Sequence, residues 1–345
     1  MEGSLYKKVW ISAIIEEVKD FKTFVLEGAP ISYSAGQYLT LVHHDGLEEK
    51  RRSYSIVSAP LLNEPLVIGV KRMDNGYFSR MLVDKSVVGD ELITTGAGGF
   101  FTLPDDLSPY SQIFFFAAGS GITPIYSLVK TLLHFHPHIK IVLVYSNASP
   151  GKTAFYHGIN ELQNQFSERF HCEFLFSDNP DLYQARLNRE LLLNLLGKFS
   201  LFPASQMLFY ICGPESYIRM CTYVLQEQGI NSSHVRKEHF WLTPPIARKL
   251  PPDKNSYKAF ISMGKDRIEV DVHFPDTVLR AAKKQNLILP YSCEAGRCGN
   301  CVALCTRGKI WHSYNEVLTD KELEAGMVLT CTGHPVGGDV YLQIK

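Results

Sequence analysis

Three cysteines crowd into CEAGRCGNC, residues 293–301, and a fourth completes the spacing Cys293-x4-Cys298-x2-Cys301-x29-Cys331. Such a spacing constrains the fold: a tight loop must wrap whatever the thiols hold, and a remote segment must return to it. C-x4-C-x2-C…C is the ligand pattern of a [2Fe–2S] cluster, in which two irons sharing two sulfides still require four thiolates. Gly296 and Gly299 let the loop backbone curl and aim amide N–H groups at the sulfurs. Zinc is the alternative, yet structural zinc sites usually pair two C-x2-C knuckles, and Cys331 stands alone in sequence. Cys305 is one thiol too many and reads as a buried neighbour. Cys172, Cys212 and Cys221 are scattered, each by default a small apolar core residue.

Disulfides are the third possibility, and the chain's setting argues against them. MEGSLYKKVWISAIIEEVKD lacks the uninterrupted apolar core of a signal peptide. The apolar run IFFFAAGSGI ends well short of the roughly 20 residues a spanning helix needs. The reading is cytoplasmic with no membrane span, where thiols stay reduced and clustered cysteines bind metal or do redox work. Lys plus Arg equals Asp plus Glu at 35 each, so the global field gives no sign of nucleic acid.

Three regimes follow one another. Residues 1–108 read as short strands (VWISAIIEEV, KTFVLEG, QYLTLVH, RRSYSIVS, PLVIGVKRM, DELITTG) with close turns, an antiparallel barrel or sandwich with one helix signal near 78–84. Residues 109–240 alternate apolar strands with helical patterns (QIFFFAAG, ITPIYSLVKTLLHF, KIVLVYS, CEFLFS, QMLFYIC, PESYIRMCTYVLQEQG), an α/β domain with a parallel sheet. Residues 241–256, WLTPPIARKLPPDKNS, form a proline-rich linker. Residues 257–345 open with two strands and a helix, TVLRAAKKQ, ahead of the cysteines.

That last segment resembles a plant-type ferredoxin domain, which implies an α+β β-grasp fold with Cys293, Cys298, Cys301 and Cys331 as cluster ligands. Glu294 departs from the basic residue common there, a change in the charge offered to a partner. A cluster moves single electrons whereas nicotinamides deliver hydride, so a flavin is expected upstream to convert one into the other. Arg52-Ser53-Tyr54-Ser55 resembles the R-x-Y-S motif of the ferredoxin–NADP reductase superfamily, and Gly76-Tyr77-Phe78-Ser79 its G-x-x-S motif. Arginine's planar fork suits a diphosphate and tyrosine offers a flat face to a flavin ring. The resemblance implies Arg52, Tyr54, Gly76 and Ser79 as flavin-binding residues, with Ser55 hydrogen-bonding towards flavin N5. Val70 and Lys71 would belong to the strand before the phosphate helix.

AAGSGITP, residues 117–124, is not G-x-G-x-x-G but resembles the same family's G-x-G-x-x-P loop. Gly119 and Gly121 would admit phosphate, and Thr123 would cap a helix with Pro124 at its first position. Cys212-Gly213-Pro214 resembles the family element that sets a cysteine beside the nicotinamide. Glu238-His239-Phe240-Trp241 resembles its E-x-F ending, with Phe240 near the flavin. The second strand ends Tyr145-Ser146-Asn147-Ala148, with neither carboxylate nor arginine to select a ribose hydroxyl or 2′-phosphate, so discrimination between NADH and NADPH is expected to be weak. Lys152 is the nearest substitute.

The whole order resembles the oxygenase reductases typified by the phenylacetyl-CoA epoxidase reductase subunit. Phthalate dioxygenase reductase shares the order with FMN, whereas the Val-Lys-Arg strand points to FAD. The resemblance implies hydride transfer from NADPH or NADH to flavin, then single electrons through the cluster to an oxygenase. A desaturase, a hybrid-cluster protein or a free ferredoxin is the alternative acceptor. A redox sensor whose cluster does not turn over is the reading from another class.

Overall fold

The computed structural model describes residues 6–45, 48–240, 249–264 and 266–344. The chain divides into two units, Met1–Phe240 and Trp241–Lys345. Among the described residues no helix is long and apolar enough to cross a membrane.

The first unit begins with alternating apolar residues on six strands: β1 (Lys7–Val18), β2 (Phe21–Gly28), β3 (Tyr38–Asp45), β4 (Glu48–Ser55), β5 (Leu66–Lys71) and β6 (Glu91–Gly98). They run β4-β3-β6-β1-β2-β5 with antiparallel neighbours. A bridge between Ile56 and Ile68, with Val57 N–H donating to Val67 O at 2.8 Å, joins the end of β4 to β5. That contact closes the sheet into a barrel and removes its open edges. Phe24, Leu39, Leu41, Ile56, Ile68 and Val70 fill it. The single helix signal becomes α1 (Tyr77–Arg80) and one π-helical turn, Met81–Lys85.

Next come β7 (Gln112–Ala118), α2 (Ile122–Phe135), β8 (Lys140–Asn147), α3 (Tyr156–Gln165), β9 (Phe170–Phe176), α4 (Leu182–Ala185), α5 (Arg189–Phe199), β10 (Met207–Cys212), α6 (Glu215–Glu227) and β11 (Val235–Glu238). All five strands are parallel, in the order β11-β10-β7-β8-β9. The continuous apolar run of β7 serves both faces. Ile113, Phe115 and Ala117 join the core under α2, while Phe114 and Phe116 join the core under α5 and α6. Strand order reverses between β10 and β7, where open α/β sheets place their ligand crevice.

One local expectation needs correction. Thr123 does not cap α2: the helix starts at Ile122 after a short 3-10 turn, Gly119–Gly121, so Thr123 already lies inside it. Its hydroxyl donates back to Ser120 O at 2.6 Å, and Pro124 is the third helical residue instead of the first. Proline still fits, because first-turn N–H groups have no partner within a helix.

The barrel and the α/β lobe meet where side chains are missing. A methyl on Gly36, at φ +85°, would stand 2.1 Å from Phe101 O and 3.0 Å from Leu128 Cδ2 on α2. One on Gly69 of β5 would stand 2.4 Å from Thr123 Cγ2. Ser127 Oγ on α2 donates to Ser58 O at 2.7 Å, and Lys130 Nζ pairs with Glu64 at 2.5 Å.

The second unit comprises β12 (Tyr257–Met263), β13 (Asp266–Val272), α7 (Val278–Lys284), β14 (Val302–Arg307), β15 (Ile310–His312), α8 (Asp320–Glu324), β16 (Met327–Leu329), β17 (Gly333–Pro335) and β18 (Val340–Ile344). The sheet order is β13-β12-β18-β14-β16, parallel only between β12 and β18, with β15 and β17 paired apart. This is the β-grasp arrangement, its sheet holding the buried face of α7 (Val278, Leu279, Ala281, Ala282). Of the proline-rich segment, residues 241–248 lie outside the described residues. The rest is seated on this unit: Pro251 is buried, and Asp253 accepts from Tyr257 Oη at 2.6 Å and Gly337 N–H at 2.8 Å.

Gly36→Ala is expected to destabilise the first unit by about 2 kcal/mol, since the residue combines left-handed backbone with a blocked Cβ position. Chemical denaturation of the full-length protein followed by near-UV circular dichroism measures it. An unchanged midpoint would show that the seam yields.

Candidate functional site

The crevice at the sheet reversal is built by close backbone approach. A methyl on Gly121 would stand 2.1 Å from Cys212 O, and one on Gly213 would stand 2.9 Å from Ala118 Cβ. The ends of β7 and β10 are therefore in contact, bringing together the two glycine segments that sequence singled out separately. Gly119 takes φ +55° and its carbonyl accepts from Tyr145 Oη at 3.3 Å. Beyond it the 14-residue α2 begins at Ile122, whose N–H donates back to the Gly119 and Ser120 carbonyls of the 3-10 turn. Pro214 heads α6 on the exposed side.

A barrel residue reaches the same loop. Lys71, last in β5, holds its Nζ 3.7 Å from the position a Gly119 Cβ would take. Sequence grouped Lys71 with the flavin motif; the fold sets its charge beside the Gly119 loop.

Ser55 and Cys212 also converge, through a residue that sequence quoted without a role. Cys212 and Glu238 are register partners on β10 and β11, and Ser55 Oγ donates to Glu238 Oε2 at 3.3 Å. Burial drives the Glu238 carboxyl up to about 8, with the Ser55 hydrogen bond opposing it. Burial, followed by the neighbouring Glu238 charge, also raises the Cys212 thiol well above its ordinary value. At neutral pH this buried junction thus holds a hydroxyl, a protonated carboxyl and a neutral thiol. The signal for Glu238 was the E of E-x-F.

On β4, alternation sets Arg52 and Tyr54 on one face, and the Arg52 charge acts on the Tyr54 hydroxyl, whose ionisation is raised chiefly by burial. The Arg52 side chain is exposed, with one contact to Arg51 O at 3.1 Å. Its neighbour Arg51 is buried against Glu49 at 2.6 Å, a structural role. Gly76 precedes α1, where a Cβ would strike Ser79 Oγ at 2.3 Å. Ser79 is buried, accepting from Met73 N–H at 3.1 Å and donating to Gly76 O at 3.2 Å, so its hydroxyl organises the turn. Val70 points into the barrel core and has only its main chain to offer a ligand. Phe240 is 39% exposed, outside the core although strongly apolar, two residues beyond Glu238. At the end of β8, Ser146 and Asn147 lie beside the Tyr217 and Tyr145 hydroxyls, polar and uncharged; Lys152 is exposed.

In the second unit the four sulfurs form two pairs, Cys293 with Cys298 and Cys301 with Cys331. Among the described residues no three ligand groups converge to hold one metal ion. A dinuclear cluster takes two thiolates per iron, so the paired arrangement fits it. The loop is shaped for this: Glu294, Gly296 and Gly299 all have positive φ (51°, 71°, 77°), and the N–H groups of Ala295, Arg297 and Cys298 are aimed at the Cys293 sulfur. A Cβ on Gly296 would stand 2.9 Å from Tyr314 O. Arg297 locks the loop from behind through Glu316 at 2.8 Å and Tyr314 Oη at 3.1 Å. Cys305 instead faces the Arg307 and Gly308 carbonyls at 3.5 and 3.8 Å.

Comparison with known proteins bears on both units. Residues 115–222 match the oxidoreductase NAD-binding domain family, and residues 262–336 match the 2Fe-2S iron-sulfur cluster binding domain family. The chain is 30% identical over 320 residues to one of the subunits of 1,2-phenylacetyl-CoA epoxidase of Escherichia coli K12, covering 90% of this chain and 88% of that one. It is 29% identical over 360 residues to the ferredoxin reductase component of 3-ketosteroid-9-alpha-monooxygenase of Mycolicibacterium smegmatis, covering 98% and 97%. Phthalate dioxygenase reductase shares the fold at a TM-score of 0.60 and 23% identity, over 98% of each chain.

Glu238 supplies a pH test. Its folded value near 8 exceeds its ordinary 4.5, so the folded protein retains a proton that the unfolded chain releases. This group's contribution is complete below 4.5 and is lost as pH rises towards 8. Glu238→Gln, which cannot ionise, is expected to gain in unfolding midpoint relative to wild type across that interval. A difference independent of pH would exclude the buried-acid assignment.

Proposed function

Because the chain belongs to the family of oxygenase reductase components, NAD(P)H-dependent oxidoreductases carrying FAD and a [2Fe–2S] centre, we propose that its physiological acceptor is a multicomponent oxygenase. The flavin, when bound, takes the nicotinamide's electron pair and releases it one electron at a time, which is what a [2Fe–2S] centre can carry. The observation that carries the reading is the meeting of Ser55, Glu238 and Cys212 at the sheet reversal, where both cofactor motifs end.

In this reading Arg52 and the Gly76 turn hold the FAD diphosphate, and Tyr54 packs against the flavin ring. The Ser55 hydroxyl would face flavin N5, and Glu238, hydrogen-bonded behind it, would be the group through which the N5 proton, released as the electrons leave singly, exchanges with solvent. Gly119, Gly121 and the start of α2 receive the nicotinamide diphosphate, with Lys71 contributing charge from the barrel. Cys212, Gly213 and Pro214 border the nicotinamide ring, the neutral thiol adding bulk without charge. Phe240 covers the flavin where the dinucleotide is absent. Cys293, Cys298, Cys301 and Cys331 hold the cluster.

Two variants separate these roles. Cys298→Ser is expected to lose iron and most NADH-driven cytochrome c reduction while retaining FAD and ferricyanide reduction, because ferricyanide can draw electrons from the flavin directly. Cytochrome c reduction at the wild-type rate would rule out export through the cluster. Arg52→Ala is expected to weaken FAD retention by about 1.5–3 kcal/mol, the value of a hydrogen bond to a charged group. That is roughly ten- to hundredfold in dissociation constant. Flavin content unchanged after dialysis would remove Arg52 from the diphosphate site.

A further inference from the structure

Alternation along β4 sets Tyr54, Arg52 and Lys50 on one face, in steps of about 7 Å. His43 is the register partner of Lys50 on β3 and shares that face. Both reach Tyr77, the residue after Gly76 and the first of α1. The Tyr77 hydroxyl and His43 Nε2 are 3.0 Å apart, and Lys50 Nζ lies 5.3 Å from the centre of the Tyr77 ring. Phe78 anchors the group: it is buried in the barrel core, edge-on to His43 at 5.9 Å and to Tyr77 at 6.1 Å. Tyr77 is nevertheless 47% exposed, a ring held by its neighbours yet open to solvent. None of His43, Lys50 and Tyr77 belongs to the barrel core, and the two flavin motifs give none of them a role.

A tyrosine already fixed by a hydrogen bond loses little freedom when a flat ring stacks on it. Lys50 extends the positive charge of Arg52 along the strand, while the carboxylate between them in register, Glu49, turns to the opposite face and pairs with Arg51. At 5.3 Å the Lys50 ammonium is near the outer limit, about 6 Å, of a cation–π contact, so turning to a phosphate costs it little there. From Tyr54 onwards the face therefore offers an aromatic ring, a guanidinium, an ammonium and a second aromatic ring. FAD has the matching order of isoalloxazine, two phosphates and adenosine, whereas FMN ends at one phosphate. We infer that Lys50 and Tyr77, the latter held by His43, form the subsite for the AMP half of FAD, with adenine stacked on Tyr77 and Lys50 at the adenosine-side phosphate. These are then the residues by which the chain selects FAD over FMN. The inference rests on the reading that Arg52 and the Gly76 turn hold the flavin diphosphate.

The test titrates the full-length protein, freed of flavin, with FAD and with FMN, following the quenching of flavin fluorescence. Wild type is expected to bind FAD more tightly than FMN by about tenfold or more, since only FAD reaches a second aromatic ring on which a base can stack. Tyr77→Ala/Lys50→Gln is expected to weaken FAD by about the same factor and to leave FMN unchanged. Tyr77→Phe, which keeps the ring and loses the His43 bond, is expected to fall between the two. The cluster's visible spectrum reports whether each variant has folded, and the wild-type comparison needs no mutation. Equal affinity of wild type for the two flavins would overturn the subsite. So would a folded double variant that binds FAD as wild type does, or one that loses FAD and FMN alike. Arg52→Ala separates the two levels of the argument: if it leaves both flavins bound as in wild type, the diphosphate reading falls and this inference with it. If it weakens FAD while the Tyr77 and Lys50 substitutions do not, the inference alone falls.

Discussion

The site depends on contacts between main chains with no room for a side chain between them. Gly121 lies against the Cys212 carbonyl, Gly36 against the Phe101 carbonyl, and Gly69 against Thr123. The first contact brings the Gly119–Gly121 turn to the end of β10; the other two seat the barrel on the α/β lobe. Once they are made, Ser55 of β4 reaches Glu238 across 183 positions of sequence, and Lys71 of β5 reaches Gly119. These placements follow from backbone proximity, and interiors packed as densely as crystals transmit such placement with little slack.

Much of the fold was legible because its periods are strong. The run ITPIYSLVKTLLHF is α2 from its first residue to its last, and YKAFISM is β12 likewise. The apolar run of β7 told of a sheet covered on both faces, since its odd and even residues enter different cores. The cysteine spacing announced a cage because four thiolates have few uses at that separation. Thr123 was misread because a hydroxyl residue just before an apolar run looks like a cap, and sequence does not show the extra 3-10 turn that moves the start of α2 upstream.

The harder parts were tertiary. Glu238 appears in sequence as one carboxylate among many, and its raised ionisation exists only because β10 and β11 bury it beside Cys212. Lys71 reads as a strand-end lysine until the barrel is docked. The seat of Asp253 on the Tyr257 hydroxyl and the Gly337 amide was equally hidden, because its residues look like any polar end of a proline-rich stretch. In each case the informative quantity is a distance between segments remote in the chain, which local pattern does not encode.

The buried state of Cys212 has a chemical consequence for the lifetime of the protein. Reduced flavins exposed to air give peroxide, and peroxide attacks thiolates, not thiols. A thiol fully enclosed at the end of β10, with the Glu238 charge as neighbour, keeps its proton far above neutral pH. Like the buried Cys172 and Cys221, the Cys212 sulfur is thereby poorly open to sulfenic acid formation. The same enclosure that fixes the end of β10 thus keeps this thiol out of reach of a flavin's by-product.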